Sequence, residues 1–403
     1  MRGAARRWQS SCIFCLAIVL ALAGCASTGT SASGNAPYTI GVVLSLTGPA
    51  SFLGKAEKKA VSLYFQQVNA KGGINGHHIN VIYEDDQTDP AQAVQITRTL
   101  MAQHVVALAG YPLVATCAAA SPLLKNGPVQ FCFTPGIHPR GSSNFVFSAN
   151  LSTSTLIHVL LKYFHEQGWD KIALIASTDA SGQDGFNNVQ AEVPTFAGMQ
   201  LVDTERFASS DVSVAAQMTR IASAHPQALV VWTTGTPVAT VFKGYTQAGL
   251  TIPVATTDGN ETIAQMTAYA SFLPANLYFG ASEDIAYQAI DHSSSVYQME
   301  QQLHQQYQQA YGVQPDIALS LSWDPVQILV KALGAVGPDP VKMRNYIESL
   351  TGYQGVSGIY NFSTGDGVGS HRGLDKNSAY VVRWDQSQGA FVPVTGADAS
   401  PLP

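Results

Sequence analysis

Asn69-Ala70-Lys71-Gly72-Gly73-Ile74-Asn75-Gly76, with the segment that follows it as far as Pro90, decides how this 403-residue chain is read. Just upstream, Lys55 to Val68 sets Ala56, Ala60, Leu63, Tyr64 and Val68 on one helical face and keeps Lys55, Glu57, Lys58 and Lys59 largely off it, which predicts an amphipathic helix. Gly72 and Gly73 can take the left-handed conformation that stops such a helix, and Asn75-Gly76 suits a second tight turn. Beyond the turn, Ile79, Val81 and Tyr83 alternate with polar neighbours as in a strand. Before the helix, Tyr38 to Leu46 is the more continuous apolar run of a strand covered on both faces. Strand, helix and strand make a βαβ unit. Glu84, Asp85 and Asp86 close the second strand, and Asp89-Pro90 supplies a cap and a first-turn proline for the next helix.

Outward from this unit the alternation continues. Val105 to Gly110 reads as a strand, then comes an Ala-rich helix to Lys125, a turn at Asn126-Gly127-Pro128 and a strand from Val129 to Phe133. A helix with Leu156, Leu160 and Phe164 stops at Gly168 and precedes the strand Ile172 to Ile175. Val214, Met218 and Ile221 mark a helical face; Ala228 to Trp232 and Ile252 to Ala255 read as strands on either side of a helix from Val238 to Ala248. Ser295 to Tyr311 is helical, with Met299, Leu303 and Tyr307 as a core stripe, and Ile317 to Leu333 and Val341 to Leu350 follow as helices. A Gly-rich turn, Gly365 to Gly369, leads to a last strand from Ala379 to Trp384. The length suits two α/β lobes better than one core.

The amino terminus has Arg2, Arg6 and Arg7 before the apolar run Ile13 to Ala23, the layout of a secretory leader and too short a run for a membrane span. Its removal deletes three arginines and no acids, so Lys+Arg falls from 21 to 18 against 27 Asp+Glu and the formal charge goes from −6 to −9. That balance argues against nucleic acid and against electrostatic binding to anionic lipid. No nucleophile elbow, zinc helix, phosphate loop or paired Cys-x-x-Cys is present, and Gly365, Gly367 and Gly369 lack the strand-to-helix setting of a dinucleotide loop. The pair His77-His78 begins a strand and reads as solvated, not as a metal site. The expectation is therefore no enzyme, no cofactor and no metal.

With its helix, double-glycine stop, Asn-Gly turn and Asp-Asp loop, the stretch to Pro90 resembles the type I periplasmic binding proteins of ABC importers, in the leucine/isoleucine/valine-binding branch. Leu22-Ala23-Gly24-Cys25 resembles the bacterial lipobox, which implies acylation of Cys25 and removal of residues 1–24; the Ser/Gly/Thr-rich residues that follow suit a flexible tether over 25–37. The resemblance implies an α/β fold of two Rossmann-like lobes with parallel sheets joined by a three-segment hinge. It places lobe one in 38–148 and 282–360, and lobe two in 149–281 and 361–395. The crossovers fall near Phe147 to Asn150, Phe279 to Glu283 and Tyr360 to Ser363.

What the resemblance implies for function is a lipid-anchored, extracytoplasmic, monomeric protein that captures a small molecule between its lobes and delivers it to an ABC permease. A ligand-sensing lipoprotein of the same fold is the alternative, and a surface hydrolase a more distant one. Carried over by position, the ligand site takes Ser51, Phe52 and Leu53 from the first loop, and Tyr111, Val114, Ala115 and Thr116 from a second. Gly136, Ile137 and His138 form a third loop of lobe one, while lobe two offers Ser181, Gln183, Thr233, Thr234 and Asp258, and Trp323 stands near a further wall. Asp258 matches the acid that pairs with a ligand ammonium.

Two features depart from the family pattern. Val114 and Ala115 stand where hydroxyls hold a ligand carboxylate, and Ser181 replaces an aromatic wall. Losing one hydrogen bond to a charged group costs roughly 1.5–3 kcal/mol, about one to two powers of ten in affinity. The expected ligand is thus not a standard branched-chain amino acid but an amide, an aromatic or a modified amino acid. Of the five cysteines, Cys12 and Cys15 lie in the leader and Cys25 takes the lipid, which leaves Cys117 near a helix start and Cys132 near a strand end. An oxidising compartment permits a disulfide between them; two buried free thiols are the other reading, and the sequence leaves both open.

Overall fold

The computed structural model describes residues 35–139, 144–363, 371–374 and 376–402. The expected leader, Cys25, the tether up to Gly34 and the Gly365–Gly369 turn lie outside the described residues.

The chain opens with β1 (Asn35–Leu44), α1 (Ser51–Ala70), β2 (His77–Asp85), α2 (Pro90–Ala102), β3 (Ala107–Gly110), α3 (Val114–Ala120), β4 (Val129–Cys132) and β5 (Val146–Ser148). The five strands form one parallel sheet in the order β2-β1-β3-β4-β5. Ile40, Val42, Val43 and Leu44 of β1 are fully buried, as a strand with helices on both faces requires. Each such side chain contributes about 1.5–3 kcal/mol on leaving water. Gly72 and Gly73 do end α1 with φ of +94° and +76°, and a Cβ on Gly73 would lie 2.1 Å from the His77 carbonyl oxygen. Asp89 caps α2 by accepting from the Ala91 amide at 2.7 Å.

Two local expectations fail here. The Ala-rich helix reaches only Ala120 and continues as one 3₁₀ turn, Ser121–Leu123, because Pro122 cannot extend the hydrogen-bond ladder. Glu57, expected on the polar side of α1, is fully buried instead. The helix is covered by β1, β2 and the later helices Ser295–Tyr311 and Ile317–Val336, so its apolar face is wider than its sequence pattern shows.

The second sheet is built from α4 (Thr153–Glu166), β6 (Lys171–Ser177), α5 (Ala180–Glu192), β7 (Gln200–Phe207), α6 (Ala215–Ser223), β8 (Ala228–Trp232), α7 (Pro237–Gln247), β9 (Val254–Thr256), α8 (Ile263–Tyr269) and β10 (Leu277–Ala281). The chain then gives α9 (Ser295–Tyr311), α10 (Ile317–Val336) and α11 (Pro340–Glu348), of which α9 and α10 pack on α1 and α11 on β4. After the small hairpin β11 (Tyr353–Gln354) and β12 (Ile359–Tyr360), β13 (Tyr380–Asp385) and β14 (Ala390–Pro393) complete the second sheet. Its order is β14-β13-β10-β9-β8-β6-β7. The β13 and β14 pairings are antiparallel, so this sheet is parallel only over the five strands from β10 to its β7 edge. Each sheet reverses its strand order beside its first strand, which places loops from the carboxyl ends of the strands at a common edge.

Candidate functional site

Those carboxyl-end loops line one cavity of about 310 Å³ of empty space, part of it open to solvent. From the first sheet come Leu53 on the opening turn of α1, Pro112 and Val114 after β3, and Phe133, Thr134, Pro135 and Gly136 after β4. Thr153 at the start of α4 joins them. The second sheet sends Ser181 and Asp184 from α5, Trp232 from the end of β8, Thr234 just after it, and Thr257, Asp258 and Gly259 after β9; Leu321 of α10 closes the wall. The walls are mixed: Thr134, Thr153, Ser181, Asp184, Thr234, Thr257 and Asp258 bring polar side chains among Leu53, Val114, Phe133, Trp232 and Leu321, and such convergent polar groups are what orient a small molecule in a pocket.

Of the residues expected from sequence, Leu53, Val114, Gly136, Ser181, Thr234 and Asp258 meet in this cavity. The others sit nearby in different roles. Ser51 and Phe52 lie half-buried on the first turn of α1, and Phe52 meets Tyr269 edge-on at 6.0 Å, a contact between lobes. Tyr111 is fully buried, with φ of +56° and its hydroxyl 2.7 Å from that of Thr97. Ala115 and Thr116 belong to α3, where the Thr116 hydroxyl donates to the Leu113 carbonyl at 3.1 Å. Thr233 is buried beside the cavity, and Gln183 is tied at the surface to Asn187 and Arg206. Trp323 is turned into lobe one against Tyr64, ring centroids 5.0 Å apart, and Leu321 takes the wall position two residues earlier.

Ten lining residues escaped the sequence reading. Asp184 had a usable signal: it lies three positions after Ser181, hence on the same face of α5. Thr134, Pro135, Thr257 and Gly259 adjoin expected positions in loops already singled out. Phe133 and Trp232 looked like strand core, and nothing marked Thr153 or Pro112.

Asp258 is the central polar group. Its Oδ1 accepts from the Thr257 hydroxyl and the Gly259 amide, both at 2.8 Å. Burial pushes its pKa up to about 6, against the pull of those two donors and of the Arg372 guanidinium. In the same lining, the hydroxyls of Ser181 and Thr234 share a hydrogen bond of 2.9 Å. Asp184 reaches across to lobe one, where its Oδ1 lies 3.1 Å from His138 Nε2. The Thr236 amide also donates across the cleft, to the Pro49 carbonyl at 3.0 Å. Asp85 and Asp86 hold the loop after β1 rather than the cavity: Asp85 accepts from the Leu46 amide and the Thr47 hydroxyl, and Asp86 from the Ser45 hydroxyl at 2.6 Å.

The connecting strands beneath the cavity are pinned by buried polar side chains. Arg372, which no sequence pattern marked, is buried and donates through Nη1 to Ser148 Oγ and to the carbonyls of Asn150 and Leu151. Its Nη2 donates to the carbonyls of Pro135 and Ile137. Asp324 accepts from the amides of Val356 and Ser357, and Asp284 from the hydroxyls of Ser282 and Ser320. Cys117 and Cys132 are joined by a disulfide, Cα–Cα 6.0 Å, which ties α3 to the end of β4 behind the lining loops. Among the described residues no group of acids, histidines or cysteines is arranged to hold a metal ion.

A periplasmic binding protein family model matches residues 37–390. The chain belongs to that family. The Leu/Ile/Val-binding protein homolog 3 of Brucella melitensis is 25% identical over 52% of this chain and 58% of its own length. The Leu/Ile/Val-binding protein of Escherichia coli K12 is 27% identical over 44% of this chain and 52% of its own. The chain thus spans about half the length of these curated relatives, which are named as binding proteins and not as enzymes. Among solved structures, an extracellular ligand-binding receptor from Rhodopseudomonas palustris superposes with a TM-score of 0.79 at 21% identity, over 89% of this chain and 99% of that one. A branched-chain amino acid transporter substrate-binding protein from Streptococcus pneumoniae, in complex with isoleucine, gives 0.74 at 19% identity over 88% and 97%. These likenesses establish the two-lobed type I periplasmic binding fold. Family membership implies an extracytoplasmic location, and no described helix is long and apolar enough to cross a membrane.

Proposed function

We propose that this chain is a lipid-anchored solute-binding protein that captures an amino acid, an amide or a related small molecule in the interlobe cleft and delivers it to an ABC importer. The observation that carries this reading is the cavity itself, lined by carboxyl-end loops from both sheets with a buried acid, Asp258, among hydroxyl-bearing and apolar side chains. Lobe one comprises residues 38–148 and 282–360, and lobe two 149–281 and 361–395. Leu53, Val114, Gly136, Ser181, Thr234 and Asp258 contact the ligand. Contacts with both lobes exist only when the cleft is shut, so ligand shifts the population toward the closed form that a permease recognises. The chain acts as a monomer, performs no reaction and is held at the membrane by an acyl group on Cys25.

A thermal-shift screen over amino acids, amides, aromatic acids and short carboxylic acids tests the reading, because a ligand specific for the folded state raises the melting temperature. A solute that does so and also binds competitively in calorimetry supports it; failure of every class sinks it. The anchor is tested separately by Cys25→Ser, which should release the protein from membranes.

A further inference from the structure

We infer that the cleft selects a small cation that carries an amine and no carboxylate. This rests on the solute-binding reading above and narrows its ligand. Two carboxylates, Asp184 and Asp258, line the cavity, whereas no Lys, Arg or His does so among the described residues. The remaining polar lining is hydroxyl-bearing: Thr134, Thr153, Ser181, Thr234 and Thr257. Arg372 favours the ionised form of Asp258, but it stands outside the lining and is committed to the Ser148 hydroxyl and four backbone carbonyls.

The placement of Asp184 sharpens the case. A Cβ on Gly136 would lie 2.8 Å from Asp184 Oδ2 and 2.5 Å from Val114 Cγ2, so the lobe-two carboxylate rests directly against the lobe-one loop. The space beside that loop is therefore already occupied by an anion, whose other oxygen faces His138. A ligand carboxylate brought there meets a like charge and, among the described residues, finds no lining cation to offset it. A ligand ammonium instead gains a charge-assisted hydrogen bond with buried Asp258, and its apolar body meets Leu53, Phe133, Trp232 and Leu321.

The test is calorimetry of the full-length protein in detergent with four compounds that share one branched body: isopentylamine, leucinamide, leucine and 4-methylpentanoate. The amine and the amide are expected to bind at least tenfold more tightly than leucine, with 4-methylpentanoate weakest. Asp258→Asn should weaken the amine at least tenfold. Asp184→Asn, which changes a side chain at the edge of the cleft, should narrow the gap between amine and leucine even if the Asp258 variant folds poorly. Leucine or 4-methylpentanoate binding as tightly as isopentylamine overturns the inference while leaving a solute-binding protein in place. So does binding of none of the four when some carboxylate in the wider screen binds. If no solute of any class raises the melting temperature, the function itself falls, and the inference with it.

Discussion

His138 Nε2 and Asp184 Oδ1 meet 3.1 Å apart, one from the loop after β4 and the other from α5, so they join the two lobes at the rim of the cleft. The His138 side chain is 55% exposed and that of Asp184 14%, which makes this a solvent-screened pair. Exposed pairs contribute on the order of 0–1 kcal/mol. His138→Ala is therefore expected to weaken ligand binding by no more than about fivefold, and to flatten its dependence on salt, with unfolding unchanged within roughly 0.5 kcal/mol. Calorimetry at low and high ionic strength checks this; a loss of a hundredfold would mean that the imidazole touches the ligand.

Much of the fold was readable because its signals are local. The helix stop at Gly72-Gly73, the Asp89-Pro90 cap and the buried run of β1 each depend on a few neighbouring residues, and each is realised. Of the expected site residues, those fixed by loop order, such as Leu53, Gly136 and Asp258, are among the ones that line the cavity. Rotation within a helix decided the rest. Trp323 and Leu321 sit two positions apart on α10, which is about 200° of turn, so the aromatic faces Tyr64 and the leucine faces the cavity. Arg372 was illegible for another reason: Ser148, Asn150, Leu151, Pro135 and Ile137, which accept from it, lie more than 200 residues away, and no short-range pattern encodes that.

Buried acids give the protein a defined pH response. Burial raises Asp258 and Asp316 to about 6, Asp284 to about 7 and Glu300 to about 10, and it also raises Glu57 and Glu261, whose oxygens have no hydrogen-bond partner among the described residues. In the unfolded chain these groups titrate near 4. Their folded pKa values lie above the unfolded ones, so the native state binds more protons in between. Their contribution is complete below about pH 4 and is lost as pH rises through 6, 7 and 10. Each proton of difference costs about 1.4 kcal/mol per pH unit. Asp385, lowered to about 2 by the Ser387 hydroxyl and neighbouring amides, acts oppositely but only below the unfolded carboxylate pKa. Urea unfolding should thus show higher stability at pH 5 than at pH 8. Glu300→Gln should reduce that difference, and equal stability at the two values would contradict the assignment.

Arg372 should matter to both stability and binding. Removing it leaves the carbonyls of Pro135, Ile137, Asn150 and Leu151 without this donor, and takes a cation from the neighbourhood of Asp258. Arg372→Ala is expected to cost about 3–5 kcal/mol, as when a buried charged network loses one partner. Arg372→Lys supplies three donors in place of five and should recover part of the loss. Chemical denaturation gives the first number. A cost under about 1 kcal/mol for the alanine variant would show that water replaces the guanidinium without penalty.

Gly136 separates closure from folding. It lines the cavity in lobe one, and the nearest atoms to a Cβ there are Val114 Cγ2 at 2.5 Å, within the same lobe, and Asp184 Oδ2 at 2.8 Å, from the other. The backbone at Gly136 is not left-handed, so alanine fits it without torsional strain. In the open form only the valine must shift, which costs roughly 1–3 kcal/mol at most as overpacking. In the closed form the methyl group also meets the Asp184 carboxylate and keeps the lobes apart. Gly136→Ala should therefore lower ligand affinity at least tenfold, about 1.4 kcal/mol, beyond its effect on unfolding. Small-angle scattering should find the variant more extended than the parent at saturating ligand. Wild-type compaction and affinity in this variant would show that Asp184 moves away from the loop when ligand binds.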